Sequence, residues 1–528
     1  MTDTTPPSAS GPPPTARTSA AAHLLGGGVL LAVLAALPVA PTDLDRHQFP
    51  KETVLHLSVF LAALMVGRPG ARGLPRWPAM WLALLLGGTL LGLLVATNPW
   101  LTLRAAGLTA TGVLAFSLAQ SVARAGRVGT LLGWTGLAAL VGVGSALAQA
   151  WGVEHASFAE LRAPGGTLGN RNFIAHLAAL ALPLAMAGVL AGRRRLVVGA
   201  SSTLMVVVII GLVLTRSRAG WLAAGAAAAT VALVLLLAGG AAPPRHRVVR
   251  LPLLALAGIV LAIALPNTLE WRSDSPYRDT LGNLTNYREG SGRGRLLQYQ
   301  NSLELALAHP VLGVGAGNWP LRYGEVAPRS DPSWARNDVI PLNPWPSSDW
   351  IALISERGVL APVIAALFGM TLAWRGFRRR RDDPLTAVAM AALLGTLAAV
   401  AVAGLFDAVM LLAVPVGWTA VTAGALLAVP LRDPDPGPFP RAWWRLLLLV
   451  VTVAVVRSVQ QTGAYLVAGD GESRAAVARA VRIDPFNYAL QIELGARGPC
   501  RTARAHAEAA LALAPTWPAA QRAARRCR

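Results

Sequence analysis

The stretch "LMVVVIIGLVLTRSRAGWLAAGAAAATVALVLLLAG", residues 204–239, decides how this chain is read. Two apolar runs, 204–214 and 222–239, meet at a polar hinge that carries Arg216 and Arg218. A helix needs roughly 20 apolar residues to cross a bilayer core. The first run therefore ends, and the second begins, at a membrane face. Charge is tolerated at such a turn, where water or an ion can reach it, and is costly in the middle of a span.

The rest of the chain repeats this pattern. Its 528 residues are 54% hydrophobic and 14% charged, with a mean hydropathy of +0.50. That composition excludes a soluble multidomain protein and defines a polytopic membrane protein. Thirteen apolar runs start near His23, Val54, Trp77, Thr102, Thr130, Asn172, Leu196, Ala219, Leu251, Val359, Leu385, Val409 and Trp444, the second being the shortest. The expectation is an all-α protein of about thirteen transmembrane helices. Residues 1–21, rich in Pro, Ser and Thr, read as a disordered cytoplasmic tail. Residues 22–457 read as the membrane domain, with a large outer loop over 266–357, and residues 458–528 as a separate helical tail. The first apolar run reads as an uncleaved anchor rather than a signal peptide.

The net charge is +21, and Lys51 is the only lysine. Such a balance would suit nucleic acid, but the arginines sit in short loops between apolar runs, so no nucleic-acid partner is expected. Counting from a cytoplasmic N-terminus puts every strongly basic loop on one side. These loops carry Arg68, Arg72 and Arg76; Arg124 and Arg127; Arg193–Arg195; Arg245, Arg247 and Arg250; Arg375 and Arg378–Arg381; and Arg432, Arg441 and Arg445. Residues 151–171, the 266–357 loop and the tail then face outward, into the periplasm of a bacterium whose inner membrane holds the spans. "TRSRA" also faces outward, where the positive-inside rule does not ask for arginine.

Several outward segments carry candidate chemistry. In "GGTLGNRNFIAH", residues 165–176, Asn170 and Asn172 offer amides beside a helix N-terminus that favours anions; the plainer reading is a glycine turn with an N-cap at Asn172. Arg216 and Arg218 either snorkel to the interface or meet an anion. "RLLQYQNSLELALA", residues 295–308, reads as an amphipathic helix through Leu296, Leu297, Leu303, Leu305 and Leu307. In "HPVLGVGAGNW", residues 309–319, Gly313, Gly315 and Gly317 allow close ligand approach, with Asn318 beside them, while His309 reads as structural. Asp349, Glu356 and Arg357 stand at the outer mouth of the tenth span. Arginines, flexible loops and polar groups on one face suit an anionic, membrane-bound substrate.

The tail is alanine-rich, with Pro485, Pro515 and Pro518 at helix breaks and small residues at helical spacing (Ala475, Ala478, Ala503, Ala507, Ala510). It resembles tetratricopeptide-type hairpins of ~34-residue period, and reads as a docking module for protein partners or as a cap on the outer face. Cys500 opens one helix and Cys527 ends the next. An antiparallel hairpin would let them form a disulfide in an oxidising periplasm; the other reading is two unpaired thiols.

Four stretches, "GTLGNRNFIAHLAALALPLA", "LTRSRAGWLA", "GRLLQYQNSLELALAHPVLGVGAGNW" and "SSDWIALISERGVLA", resemble in order and spacing the O-antigen ligase and polymerase superfamily, over residues 151–368. The resemblance implies transfer of a glycan from undecaprenyl diphosphate, at the periplasmic face, to lipid A core, a growing polysaccharide or protein. It also implies a metal-independent enzyme with no cofactor. By the family pattern, Arg218 and Arg295 contact the diphosphate, with Arg216 as an additional candidate. One departure stands out. Where relatives carry a histidine that assists the acceptor, this chain has Ser347, followed by Ser348 and Asp349. Serine is no general base near neutral pH, whereas a carboxylate is, so Asp349 either takes over that function or caps the tenth helix. Ligase, polymerase and protein O-oligosaccharyltransferase remain open, as does a non-catalytic or transport protein that binds the lipid-linked glycan.

Overall fold

The computed structural model describes residues 15–41, 43–68, 76–158, 162–271, 273–284, 286, 290–328, 331, 344–429 and 440–527. Helices are the only regular secondary structure among them. The first group is α1 (Ala16–Leu34), α2 (Asp43–Val66), α3 (Arg76–Leu91), α4 (Pro99–Val122), α5 (Val128–Ala150), α6 (Arg171–Ala191), α7 (Arg195–Thr215) and α8 (Arg218–Leu236). After α9 (Arg245–Val248) and α10 (Arg250–Ala264), the 266–357 segment holds α11 (Pro276–Gly282), α12 (Gly290–Ala308), α13 (Trp319–Arg322) and α14 (Asp349–Arg357). The chain continues through α15 (Leu360–Arg379), α16 (Pro384–Phe406), α17 (Ala413–Leu427) and α18 (Arg441–Ala468). The tail is α19 (Arg474–Ile483), α20 (Tyr488–Ala496), α21 (Cys500–Leu513) and α22 (Pro518–Arg526).

Among the described residues, eleven helices are long and apolar enough to cross a membrane, which makes this a multi-pass membrane protein. One of the eleven, Pro99–Ala150, is 52 residues long and contains both α4 and α5. It turns at 123–127, where Gly126 has φ 86°. α17 is apolar but shorter than a full span. Each of the thirteen apolar runs falls on a helix.

The boundaries differ from the sequence reading in three places. Residues 1–14 of the expected N-terminal tail lie outside the described residues, but residues 16–21 belong to α1, with Thr15 as its N-cap. α2 starts a full three turns before the run at Val54. Its early turns hold Arg46, His47, Lys51 and Glu52, all buried, which depress the hydropathy. Protein partners make that burial tolerable: Glu52 takes a bidentate pair from Arg104 at 2.7 Å, and Arg46 donates to the carbonyls of Pro38, Ala156 and Phe158. Finally, α18 runs through the expected 457/458 boundary to Ala468.

Small residues let the helices approach closely. Gly395 of α16 lies against Ala227 and Val231 of α8 and Pro183 of α6, while Ala387 near the start of α16 meets Ala238 and Ala241 just beyond α8. The two helices are therefore antiparallel, and the end of α16 lies beside the start of α8. Gly220 in the first turn of α8 packs on Ala175 of α6. Three helix ends (the starts of α6 and α8 and the end of α16) thus share one end of the bundle. Two arginines of the basic loops lie at the opposite end: Arg247 donates to the Leu190 carbonyl at the end of α6, and Arg381 to the Leu237 carbonyl after α8.

The tail is not detached. Trp100 stacks on Phe486 with ring centroids 4.2 Å apart, the buried Arg457–Asp484 pair ties α18 to the turn after α19, and Leu321 and Leu101 join a cluster with Ile492, Ala510 and Trp517. Cys500 and Cys527 are joined by a disulfide.

Candidate functional site

The site begins with the residue that follows α16. Asp407 is the C-cap of that helix and one of its oxygens, Oδ1, accepts from the N–H of Ala408. The other, Oδ2, faces three side chains from distant parts of the chain: Asn172 Nδ2 donates to it at 3.2 Å, His176 Nε2 stands at 3.7 Å, and an Arg295 guanidinium nitrogen at 3.8 Å. His176 is wholly buried, and neither of its ring nitrogens has a hydrogen-bond partner. Arg295 and Asp407 retain some exposure, 20% and 12% of their side chains. The cluster is thus closed on the His176 side and open on the Arg295 side.

A second layer fixes this cluster. Tyr299, one turn after Arg295 on α12, donates to the carbonyls of both Ser347 and Leu405. Gln298 accepts from the Ser347 N–H at 2.7 Å, and Ser348 Oγ donates to the Gly404 carbonyl. α12, the start of α14 and the end of α16 are therefore cross-linked through their backbones. The buried face of α12 is polar here, with Gln298 and Ser302 inside, while Leu296, Leu303 and Leu307 are exposed. Of the other leucines in this helix, Leu305 is buried and Leu297 half-buried.

Asp349 lies in this second layer. It is not the N-cap of α14; Ser348 is, accepting from the Ile351 N–H. The Asp349 carboxylate accepts instead from the N–H groups of Val409 and Met410 at 2.9–3.0 Å, where the chain is non-helical between α16 and α17. Gly404 packs closely beside it: a Cβ there would lie 2.8 Å from Asp349 Oδ2. α14 lies outside the candidate spans, and burial pushes the Asp349 carboxyl from 3.8 up to about 7; the two amide N–H groups pull the other way and Asp407 adds to the rise.

The hinge arginines sit beside this centre. Arg216 adopts a left-handed conformation, φ 51°, which turns the chain from α7 into α8; Ser217 then caps α8. Arg216 donates to Thr280 Oγ1 at 3.0 Å and lies 4.6 Å over the Trp271 ring, which Arg171 also approaches at 5.3 Å. Arg218 donates through Nη1 to the carbonyls of Asn283 and Asn286, at 2.7 and 2.9 Å. The first turn of α6 joins both groups, Arg171 reaching towards Trp271 and Asn172 towards Asp407. Asn170 is the N-cap of α6, accepting from the Asn172 N–H, which corrects the expected cap at Asn172.

Gly315 and Asn318 have other neighbours. Asn318 is fully buried, bonded to the Asn98 backbone, Thr102 Oγ1 and the Ala316 carbonyl. A Cβ at Gly315 would lie 3.0 Å from Ala96 and from the Gly92 carbonyl. Their contacts weld the "HPVLGVGAGN" segment to the α3–α4 turn. At its other end, Gly313 and Gly358, both at positive φ, allow Val314 to bond Ser355 and Val359 to bond Pro310. His309 pairs with Arg322 at 3.2 Å.

Sequence reasoning missed Asp407, His176 and Arg171. The signal for Asp407 was the one applied to Arg216 and Arg218, a lone charge between two apolar runs, here "GLFDAVM". His176 and Arg171 sit inside the quoted "GNRNFIAH" motif, but nothing local distinguishes them from spacer residues.

The fold and this cluster define a polytopic, all-helical membrane protein with arginines and a carboxylate gathered at one end of its bundle. Residues 203–366 match the family model described as O-antigen ligase, so the chain carries an O-antigen ligase family domain over α7 to α15. A match to that family implies lipid-linked glycan transfer. No curated protein matches the chain.

Proposed function

We propose that the protein transfers a glycan from undecaprenyl diphosphate to an acceptor hydroxyl, as a ligase or a polysaccharide polymerase, without a metal or other cofactor. The observation that supports this reading is the meeting of Arg295, Asn172 and Asp407 beside the ends of α6 and α16, with Arg218 in the first turn of α8 at the same end of the bundle. In this reading the thirteen helical runs all serve the bundle, the arginine-rich loops face the cytoplasm by the positive-inside rule, and the site and tail face the periplasm.

Arg218 and Arg295 hold the diphosphate, with Arg216 in support. The acceptor oxygen bonds to the anomeric carbon as its bond to the diphosphate breaks; the electron pair leaves on the diphosphate, where fixed guanidinium donors stabilise the developing charge. The acceptor proton needs a carboxylate, since Ser347 supplies no base. We assign proton acceptance to Asp407. The carboxyl function expected at Asp349 is then one of positioning, because its oxygens are engaged by the two amides beside Asp407. Asn172 holds Asp407 in place when Arg295 turns to the donor.

The test uses purified protein in liposomes with an undecaprenyl-diphosphate oligosaccharide and a lipid A core acceptor. Arg218→Ala and Arg295→Ala are each expected to lower transfer at saturating acceptor; wild-type rates in both would refute the diphosphate assignment. In a deletion strain, uncapped lipid A core marks a ligase, single-repeat chains a polymerase, and lost protein glycans a protein transferase.

A further inference from the structure

A second concavity lies at the opposite end of the bundle from this site. It encloses about 1030 Å³ between α5, α6, α7, the start of α16 and the end of α17, at the upper end of the ~300–1,000 Å³ range of small-molecule sites. Its walls come mainly from Leu, Val, Ala and Gly side chains such as Leu132, Leu140, Leu184, Leu204, Val388 and Val429. The space exists because α5 presents glycines towards it: a Cβ at Gly129 or Gly133 would meet nothing within 4 Å.

Charge on this lining has one sign. Arg124, Arg193 and Arg194 are its charged residues, and among the described residues no Asp or Glu lines it. Arg193 and Arg194 are exposed at the α6–α7 turn, and Arg124 lies in the kink between α4 and α5. An apolar chamber bordered by guanidinium groups at a helix-end plane fits an amphiphile with an anionic head. A neutral lipid would fill the chamber without answering the charge of Arg193 and Arg194.

We propose that this cavity is a binding site for an anionic glycerophospholipid of the cytoplasmic leaflet. An acyl chain lies along the glycine face of α5 and the apolar faces of α6 and α7, and the phosphate meets Arg193 and Arg194. The site is independent of the glycan-transfer reading, because none of its lining residues belongs to the Asp407 cluster.

The full-length protein, delipidated in a neutral detergent, is titrated with phosphatidylglycerol, phosphatidylcholine and undecaprenyl phosphate, following bound lipid by native mass spectrometry and melting temperature in parallel. Phosphatidylglycerol is expected to bind saturably and raise the melting temperature, at least tenfold more tightly than phosphatidylcholine. Arg193→Ala/Arg194→Ala is expected to erase that preference. Gly133→Phe, which fills open space, is expected to reduce binding of every lipid by at least tenfold. Equal binding of the two phospholipids, an unchanged preference in the arginine double variant, or tighter binding of undecaprenyl phosphate than of phosphatidylglycerol would each overturn the proposal. The double variant changes only exposed side chains, so it decides the matter even if Gly133→Phe fails to fold.

Discussion

The two ends of the bundle both gather arginine, and they hold it differently. At the Asp407 end, the guanidinium groups are anchored: Arg216 on a hydroxyl and an indole face, Arg218 on two backbone carbonyls, Arg295 towards a carboxylate. At the other end, Arg193 and Arg194 stand exposed beside an apolar cavity. Arg216 and Arg218 are thereby held in a set geometry, which is what stabilising a leaving diphosphate requires. Exposed arginines beside lipid give a looser, leaflet-facing attraction that salt screens.

The largest expected effect is at Arg295. Arg295→Ala should lower transfer by about 10²–10³-fold, the usual loss for one fixed donor at a developing anion, with unchanged melting temperature. Arg218→Ala should come next, and Arg218→Lys should recover only part of the loss because an ammonium lacks the planar fork that meets a diphosphate bidentately. Transfer assays at saturating donor check both; equal rates for Arg218→Lys and wild type would show that charge alone matters there. Arg193→Ala/Arg194→Ala should leave transfer unchanged in neutral-lipid liposomes, which separates the two ends functionally.

Stability should respond at different places. Gly358→Ala is expected to lower the melting temperature by a few degrees or more, since residue 358 has φ +82° and a Cβ there would lie 2.1 Å from the Val311 carbonyl oxygen. Asp349 adds a pH dependence. Its carboxyl titrates near 3.8 when unfolded and about 7 in the folded protein, so across that window the folded state holds a proton the unfolded chain has released. Its contribution therefore makes stability fall as pH rises from 3.8 to about 7, and thermal melts of Asp349→Asn should show a flatter fall than wild type. Smallest for activity is the disulfide. Cys500→Ser/Cys527→Ser should loosen the tail by about 3 kcal/mol for a loop of this size, visible as faster hydrogen exchange in α21 and α22, with transfer unaltered.

The helices were legible because crossing a bilayer demands a long apolar run, and each such run announces itself. α2 was only half legible: Arg46, Lys51 and Glu52 break the run, and the partners that permit their burial, Arg104 and the carbonyls near residues 33–38 and 156–158, come from elsewhere in the chain. The site was legible where one segment carries the signal, as at Arg218. It was not legible at Asp407, whose neighbours come from α6 and α12 and whose loop is held by α14. Asp349 shows the same limit from the other side: its residue type suggested a base, and only the amides of Val409 and Met410 reveal what its oxygens are doing.

Proton acceptance by Asp407 is checked by the transfer rate of Asp407→Asn against pH, with donor binding measured in the same preparation. The variant should be slower by about 10²–10⁴-fold, the range for loss of a general base, with donor still bound. A wild-type rate and pH profile in Asp407→Asn would contradict that assignment.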